Sequence, residues 1–286
     1  WLALVARVRA TVTGAPDSAY RLSAHTVDPT GLDLSALRFA GNGGEPVRLA
    51  TIEAFERRFA CPGVVRPAYG LAEATLVVTT TRPGERLRVD SHGVVSCGRV
   101  LEGMDLRIAN ADGLALPPGS TGEILTRGIP VFSGYFDDED ATRRTLRDGW
   151  LHTGDVGHVD GDGYLFVTAR ARVLIKRGGV AIAPREIEDA VHRVPGVASA
   201  AAVGVVLSTL TGTEDVVVVA EHAAPVPTSG PDADALVAAI GAEVRRAMGF
   251  TPGRILLVPA GRLPRTAAGK VQYDELRRLV IAGSLG

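Results

Sequence analysis

Trp150 to Arg170 reads WLHTGDVGHVDGDGYLFVTAR. Its turn residues Asp160-Gly161-Asp162-Gly163 set off the apolar run GYLFVTA, and beyond Arg170 the texture of the chain changes. Upstream, from Val94, the runs VVSCG, DLRIA and GEILTRG alternate with Asp112-Gly113 and Pro117-Pro118-Gly119. That rhythm predicts a small antiparallel, β-barrel-like subdomain. Within it Thr153-Gly154-Asp155 is, by composition alone, a turn signal. Further upstream, Leu37 to Ala40 reads as a strand, Gly41-Asn42-Gly43-Gly44 as a turn, and Leu49, Ile52, Phe55 and Phe59 fall at helical spacing. Val64 and Val65 then lead into Pro67 and a loop at Tyr69, the pattern of a strand delivering a functional loop.

Downstream, Val173 to Lys176, the pair Gly178-Gly179 and Val180 to Ile182 form a hairpin signal. Pro184 opens a helix with Ile187, Ala190, Val191 and Val194 on one face, closed by Pro195-Gly196. Two apolar strands follow, Ala200 to Val206 and Val216 to Ala220, then the polar, proline-rich stretch Ala223 to Pro231 and a helix with Leu236, Ile240, Val244 and Ala247 in register. A strand at Ile255 to Val258, a loop ending at Lys270 and a last helix capped by Asp274 complete an α+β unit of domain size.

The bulk numbers bound the answer. With 286 residues, 46% hydrophobic and 22% charged, the chain has room for one large or two modest globular domains. A formal net charge of -1 gives no global attraction to nucleic acid or to an anionic membrane. Cys61 and Cys97, far apart, exclude a disulfide framework, a CxxC pair and a thiolate zinc site, so a cytoplasmic location is expected. The apolar opening Trp1 to Ala6 is broken by Arg7 and Arg9 before it could form a membrane span. The six histidines show no metal-ligand spacing, and no GxSxG elbow supports hydrolase chemistry.

Three loop motifs, in the order Tyr69-Gly70-Leu71-Ala72-Glu73, Thr153-Gly154-Asp155 and LPRTAAGK (Leu263 to Lys270), resemble the adenylate-forming superfamily of acyl-CoA synthetases, fatty acyl-AMP ligases and peptide-synthetase adenylation domains. The resemblance covers the chain from about Leu34 onward. It implies an α/β fold: the C-terminal part of a large adenylate-forming domain over residues 1–171, then a small α+β lid domain over 172–286. A chain opening on Trp and lacking the family's Ser/Thr/Gly-rich phosphate loop is expected to be the C-terminal portion of a longer protein, weak or inactive alone.

The resemblance also implies roles. Gly43, Gly44 and Glu45 would line the adenine, with the Tyr69-Gly70 turn stacking a ring on it. Asp155 would accept both ribose hydroxyls, helped by Arg170, and Glu73 would hold Mg²⁺ at the phosphates of ATP. Ala72 stands where relatives often carry Thr or Ser, and Ala169 where they carry Gly. Glu123 is expected to support its strand turn. Arg172 falls at the hinge, and Gly178-Gly179 at the hairpin where a pantetheine thiol approaches. Lys270 would be catalytic, bridging the attacking carboxylate and the α-phosphate while charge builds on the phosphoryl oxygens. The implied reaction activates a carboxylic acid, expected to be a fatty acid, to acyl-AMP and passes it to a phosphopantetheine thiol. YGLAEATL and VSCG favour an acyl carrier protein as acceptor, whereas IKRGGVAIAPREIE reads like CoA ligases. The alternatives are an acyl-CoA ligase and a catalytically silent nucleotide-binding fragment.

Overall fold

Segments with strong local signals pair into four sheets. In a computed structural model, which describes residues 1–170, 173–178, 180–206, 214–222, 230–266 and 269–285, the chain divides into two units, Trp1–Thr168 and Ala169–Gly286. The first unit begins with α1 (Leu2–Arg7), β1 (Val12–Ala15), α2 (Asp17–Thr26), β2 (Phe39–Asn42), α3 (Leu49–Arg58) and β3 (Val65–Tyr69). β1, β2 and β3 pair in parallel, and two short antiparallel strands, β4 (Thr79–Thr80) and β5 (Arg99–Val100), extend the sheet beyond β3. Parallel neighbours need crossovers, and α2 and α3 supply them. Their inward faces, with Tyr20, Ile52 and Phe55 each no more than 1% exposed, pack with Ala40 and Val65 of the sheet.

The second sheet is antiparallel where its registers are defined. β6 (Met104–Ala109) pairs with β7 (Gly122–Gly128), and β7 with β9 (Trp150–Val159). Before β9 come α4 (Glu139–Thr145) and the short β8 (Leu146–Arg147), which pairs with β9, and β10 (Leu165–Arg170) lies on the far side of β9. Two local expectations change. VVSCG forms no strand: Val95 makes an isolated bridge to Val89, while Ser96 Oγ and the Cys97 N–H both donate to the Leu165 carbonyl. Thr153-Gly154-Asp155 is not a loop but lies inside β9, where the register against β7 shifts between Glu123 and Leu125. Gly154, at φ 69°, supplies the left-handed residue that such a bulge takes.

The second unit opens with the hairpin β11 (Ile175–Arg177) and β12 (Val180–Ile182), then α5 (Pro184–Val191). A three-stranded sheet follows, from β13 (Val197–Val205), β14 (Asp215–His222) and β15 (Arg254–Val258), with α6 (Pro231–Met248) crossing between β14 and β15 and α7 (Tyr273–Ile281) at the end. β13 and β14 read as unbroken apolar runs because both faces are buried. Ala200, Ala202, Val216 and Val218 meet Ile187 of α5 and Ile240 of α6. Ala201, Val203, Val217 and Val219 meet Leu276 and Val280 of α7. α6 carries its own start and stop signals: Pro231 in its first turn with Asp232 and Asp234, Arg245 and Arg246 in its last, and Gly249 at φ 75° as C-cap. α7 is capped by Gln272 without a side-chain bond, so Asp274 falls in the first turn rather than at the cap. There its charge still complements the helix dipole.

Ile240 is fully buried between α5 and the sheet, whereas Ile281 at the end of α7 is 66% exposed. Ile240→Ala is expected to lower the unfolding free energy by about 2–5 kcal/mol in urea titration, and Ile281→Ala to change it by no more than about 0.5 kcal/mol.

Candidate active site

β3 ends at Tyr69, and the next residues turn back so tightly that a Cβ on Gly70 would lie 1.7 Å from the Leu76 carbonyl oxygen. Only glycine fits that approach. The Tyr69 ring is buried, and its hydroxyl donates 2.8 Å to Oδ2 of Asp155, on the bulge of β9. The two residues expected to hold base and sugar are therefore joined, one from each sheet. Asp155 is 6% exposed and Tyr69 8%, so together they present an edge rather than an open face. A carboxylate has about four acceptor sites, so the bond from Tyr69 does not by itself exhaust that of Asp155.

The bulge is braced from β7. Glu123 Oε1 accepts the Gly154 N–H at 3.1 Å, and Oε2 lies 3.0 Å from His152 Nδ1. Thr153 Oγ1 donates to the Ile124 carbonyl and accepts the Asp155 N–H. Glu123 thus supports the strand, and the bulge it supports is the one that aims Asp155.

The Gly43-Gly44-Glu45 turn is brought to Tyr69 through the backbone. A Cβ on Gly43 would lie 2.5 Å from the Ala68 carbonyl oxygen, one residue before Tyr69, and Gly44 takes φ 77°. Glu45 turns instead to the N-terminus of α2, where its carboxylate accepts the Ser18 N–H. Sequence reading missed Asp17, 1% exposed beneath this turn, which accepts from Asn42 Nδ2 (3.0 Å), the Arg48 N–H (3.2 Å) and Thr51 Oγ1 (2.9 Å). Burial raises its carboxyl pKa above the ordinary value, against the lowering effect of those donors. Nothing in the spacing marks a lone Asp at a helix start as a buried anchor.

Glu73 sits in the one-turn 3-10 helix Ala72–Ala74, and its Oε1 accepts the Tyr135 hydroxyl at 2.7 Å. Its carbonyl accepts the Phe132 N–H, and Thr75, held at φ 68°, donates to the Pro130 carbonyl. Burial first, then the bond to Glu73, raises the Tyr135 phenol above its ordinary pKa. A cavity of about 530 Å³ opens beside Tyr135, lined also by Ser133, Phe136, Asp137 and Thr142. It adjoins the Glu73 partner and includes neither Tyr69 nor Asp155. Among the described residues no three His, Cys, Asp or Glu side chains gather as a metal cage. A single carboxylate fits Mg²⁺ arriving with nucleotide phosphates and waters, the way that ion is commonly held.

In the second unit Lys270 is exposed on a closed turn. The Thr266 N–H donates to the Lys270 carbonyl (2.8 Å), and the Lys270 N–H to Thr266 Oγ1 (3.2 Å). Arg265 crosses the turn, donating to the Gly269 carbonyl (2.9 Å) and to Ser199 Oγ (2.6 Å), while buried Glu221 accepts the Leu263 N–H (2.8 Å). Beyond the turn, Tyr273 donates to Glu188, which also accepts the Ala202 N–H, tying α7 to α5 and β13. The loop is braced on both sides while its lysine faces out. Of 31 basic residues only Lys176 and Lys270 are lysines, a sequence signal that separates these two positions from the arginine-paired surface. Gly178 lies at φ 55° in the hairpin turn, and Arg170 is exposed at the end of β10. Arg172 and Gly179 lie outside the described residues.

A family model described as AMP-binding enzyme matches residues 1–136, and one described as AMP-binding enzyme C-terminal domain matches residues 186–270. The chain is 38% identical over 249 residues to an indoleacetate–CoA ligase of Aromatoleum aromaticum, covering 87% of this chain and 46% of that protein. It is 35% identical over 253 residues to a feruloyl-CoA synthase of an Amycolatopsis species, covering 86% and 47%. A structure from a study of fatty acyl-adenylate ligases of E. coli and L. pneumophila superposes with a TM-score of 0.84 at 28% identity, covering 100% of this chain and 56% of that one. The chain belongs to the adenylate-forming superfamily of AMP-binding enzymes. It spans about half the length of the curated relatives it matches.

Tyr69→Phe removes one donor from a buried carboxylate. It is expected to cost about 1–3 kcal/mol of stability, measured by urea unfolding, and an unchanged midpoint and slope would show that Asp155 does not depend on that bond.

Proposed function

We propose that this chain supplies the base-and-sugar site and the catalytic lysine of a ligase that activates a carboxylic acid. In the first half-reaction the carboxylate oxygen attacks the α-phosphorus of ATP, forming acyl-AMP and releasing pyrophosphate. In the second, a phosphopantetheine thiol attacks the acyl carbon, giving a thioester and AMP. The observation that carries this reading is the buried bond between Tyr69 and Asp155, which sets an aromatic ring and a diol acceptor side by side. On this reading residues 1–171 form the end of the large domain and 172–286 the lid, with Arg172 as hinge and Arg170 assisting at the ribose.

Charge decides the remaining roles. The carboxylate and the triphosphate repel one another, and negative charge grows on the phosphoryl oxygens as the new bond forms. An ammonium held on a braced turn contributes by position and electrostatics, which is most of what phosphoryl transfer requires. Lys270 has that turn, and it is one of two lysines in a chain that otherwise uses arginine, which supports the assignment. Glu73, oriented by Tyr135, would hold Mg²⁺, whose charge would offset that of the phosphates. Relatives named as CoA ligases support CoA as the thiol, and so does the IKRGGVAIAPREIE segment. The YGLAEATL string and the likeness to fatty acyl-adenylate ligases support a carrier protein and a fatty acid. CoA has the larger share of support and is the acceptor we assign.

The Ser/Thr/Gly-rich phosphate loop is not among residues 1–286, so the test uses the polypeptide of the complete reading frame. Acid-dependent pyrophosphate exchange across a panel of aliphatic and aromatic acids should identify the substrate. Lys270→Ala should slow that exchange about 100- to 1,000-fold while AMP affinity, by calorimetry, stays within about threefold. Exchange at the parent rate would remove Lys270 from the chemistry.

A further inference from the structure

The hairpin β11–β12 is too short to hold itself: a two-stranded ribbon is at best marginally stable in water. Ile175 is fully buried and anchors its base, but Lys176 and Gly178 are exposed. What fixes the strand between them is a pair of acidic residues, Glu214 just before β14 and Asp215 at its first position. Glu214 takes both backbone groups of one residue: the Lys176 N–H donates to Glu214 Oε2 at 2.7 Å, and the Glu214 N–H donates to the Lys176 carbonyl at 2.8 Å. Asp215 takes the next side chain, with Arg177 Nη1 donating to its Oδ1 at 3.1 Å. The Arg177 guanidinium also lies 4.7 Å from the centre of the Phe250 ring.

Two glycines on neighbouring segments make room for these carboxylates. A Cβ on Gly204, in β13, would lie 2.4 Å from Glu214 Oε2, and one on Gly253, just before β15, would lie 1.8 Å from Asp215 Oδ2. Either methyl group would push a carboxylate away from the hairpin rather than meet an immovable backbone. The acidic pair, its glycine pockets and the strand it grips form one built device.

We propose that Glu214 and Asp215 are positioning residues for thiol transfer: they fix the height and direction of the Gly178 turn, and so the path by which a pantetheine thiol reaches the acyl-adenylate. The inference rests on the ligase reading and deepens it, because it assigns the clamp to the second half-reaction alone. Misplacing a reacting group by about 1 Å can cost about 100-fold, so a loosened turn should slow thioester formation while acid activation proceeds.

The full-length enzyme allows the halves to be measured apart, by acid-dependent pyrophosphate exchange and by thioester formation from preformed acyl-AMP and CoA. Glu214→Ala and Gly204→Ala should each slow thioester formation about 10- to 100-fold and leave exchange within about twofold. Glu214→Gln, which keeps an acceptor for the Lys176 N–H, should recover most of the loss. Hydrogen exchange of the 173–182 segment gives a readout independent of activity: it should be protected in the parent and exposed in Gly204→Ala. Equal slowing of both halves together with a lowered Tm, or an unaltered thioester rate, would overturn the clamp. A parent enzyme with no acid-dependent exchange but a protected, Glu214-dependent hairpin would overturn the ligase reading and leave the clamp standing as a structural device.

Discussion

A phenol hydroxyl donated to a buried carboxylate joins the two sheets of the first unit, across 86 residues of sequence. Much of that unit serves to make this bond possible. The parallel strands carry Tyr69 to the end of β3, and the absence of a side chain at Gly70 lets the chain fold back at once. The antiparallel sheet carries Asp155 on a bulge whose left-handed glycine and Glu123 brace turn the carboxylate toward the tyrosine. Burying a carboxylate is costly without donors, so its partners are as much a condition of the fold as of any ligand site. A diol or a ring meeting this edge would find it already ordered, which lowers the entropy lost on binding.

The same economy appears in the second unit, where carboxylates, two of them buried and two partly exposed, hold the exposed segments in place. Glu221 and Glu188 fix the two ends of the Lys270 turn, and Glu214 and Asp215 fix the hairpin. In each case the anchoring group is acidic and sits on or against the apolar sheet, while the group it presents is basic or glycine. The Lys270 turn and the Gly178 hairpin are thereby both fixed to the body of the second unit.

Much of this was legible in the sequence because the signals were local. Pro231 and Gly249 bound α6, turn residues set off the strands of the antiparallel sheet, and the LPRTAAGK string marked the loop before α7. The misreadings have one physical cause. Gly-Asp reads as a turn by propensity, but in β9 the cross-strand partners on β7 keep the segment in the sheet and spend the glycine on a bulge. VVSCG has strand composition, yet its polar groups bond to Leu165 in an irregular way that no ladder could accommodate. The Tyr69–Asp155 bond, the Asp17 anchor and the Glu214 clamp depend on segments distant in sequence, and periodicity carries no information about such pairs. The two lysines among 31 basic residues were readable and point to the same loops.

The most direct test is a crystal structure of the full-length protein with a non-hydrolysable acyl-adenylate analogue. Adenine lying against the Tyr69 ring, with both ribose hydroxyls within hydrogen-bond distance of Asp155, is the expected result. A nucleotide bound elsewhere, with Tyr69 and Asp155 still buried against each other and untouched, would contradict it.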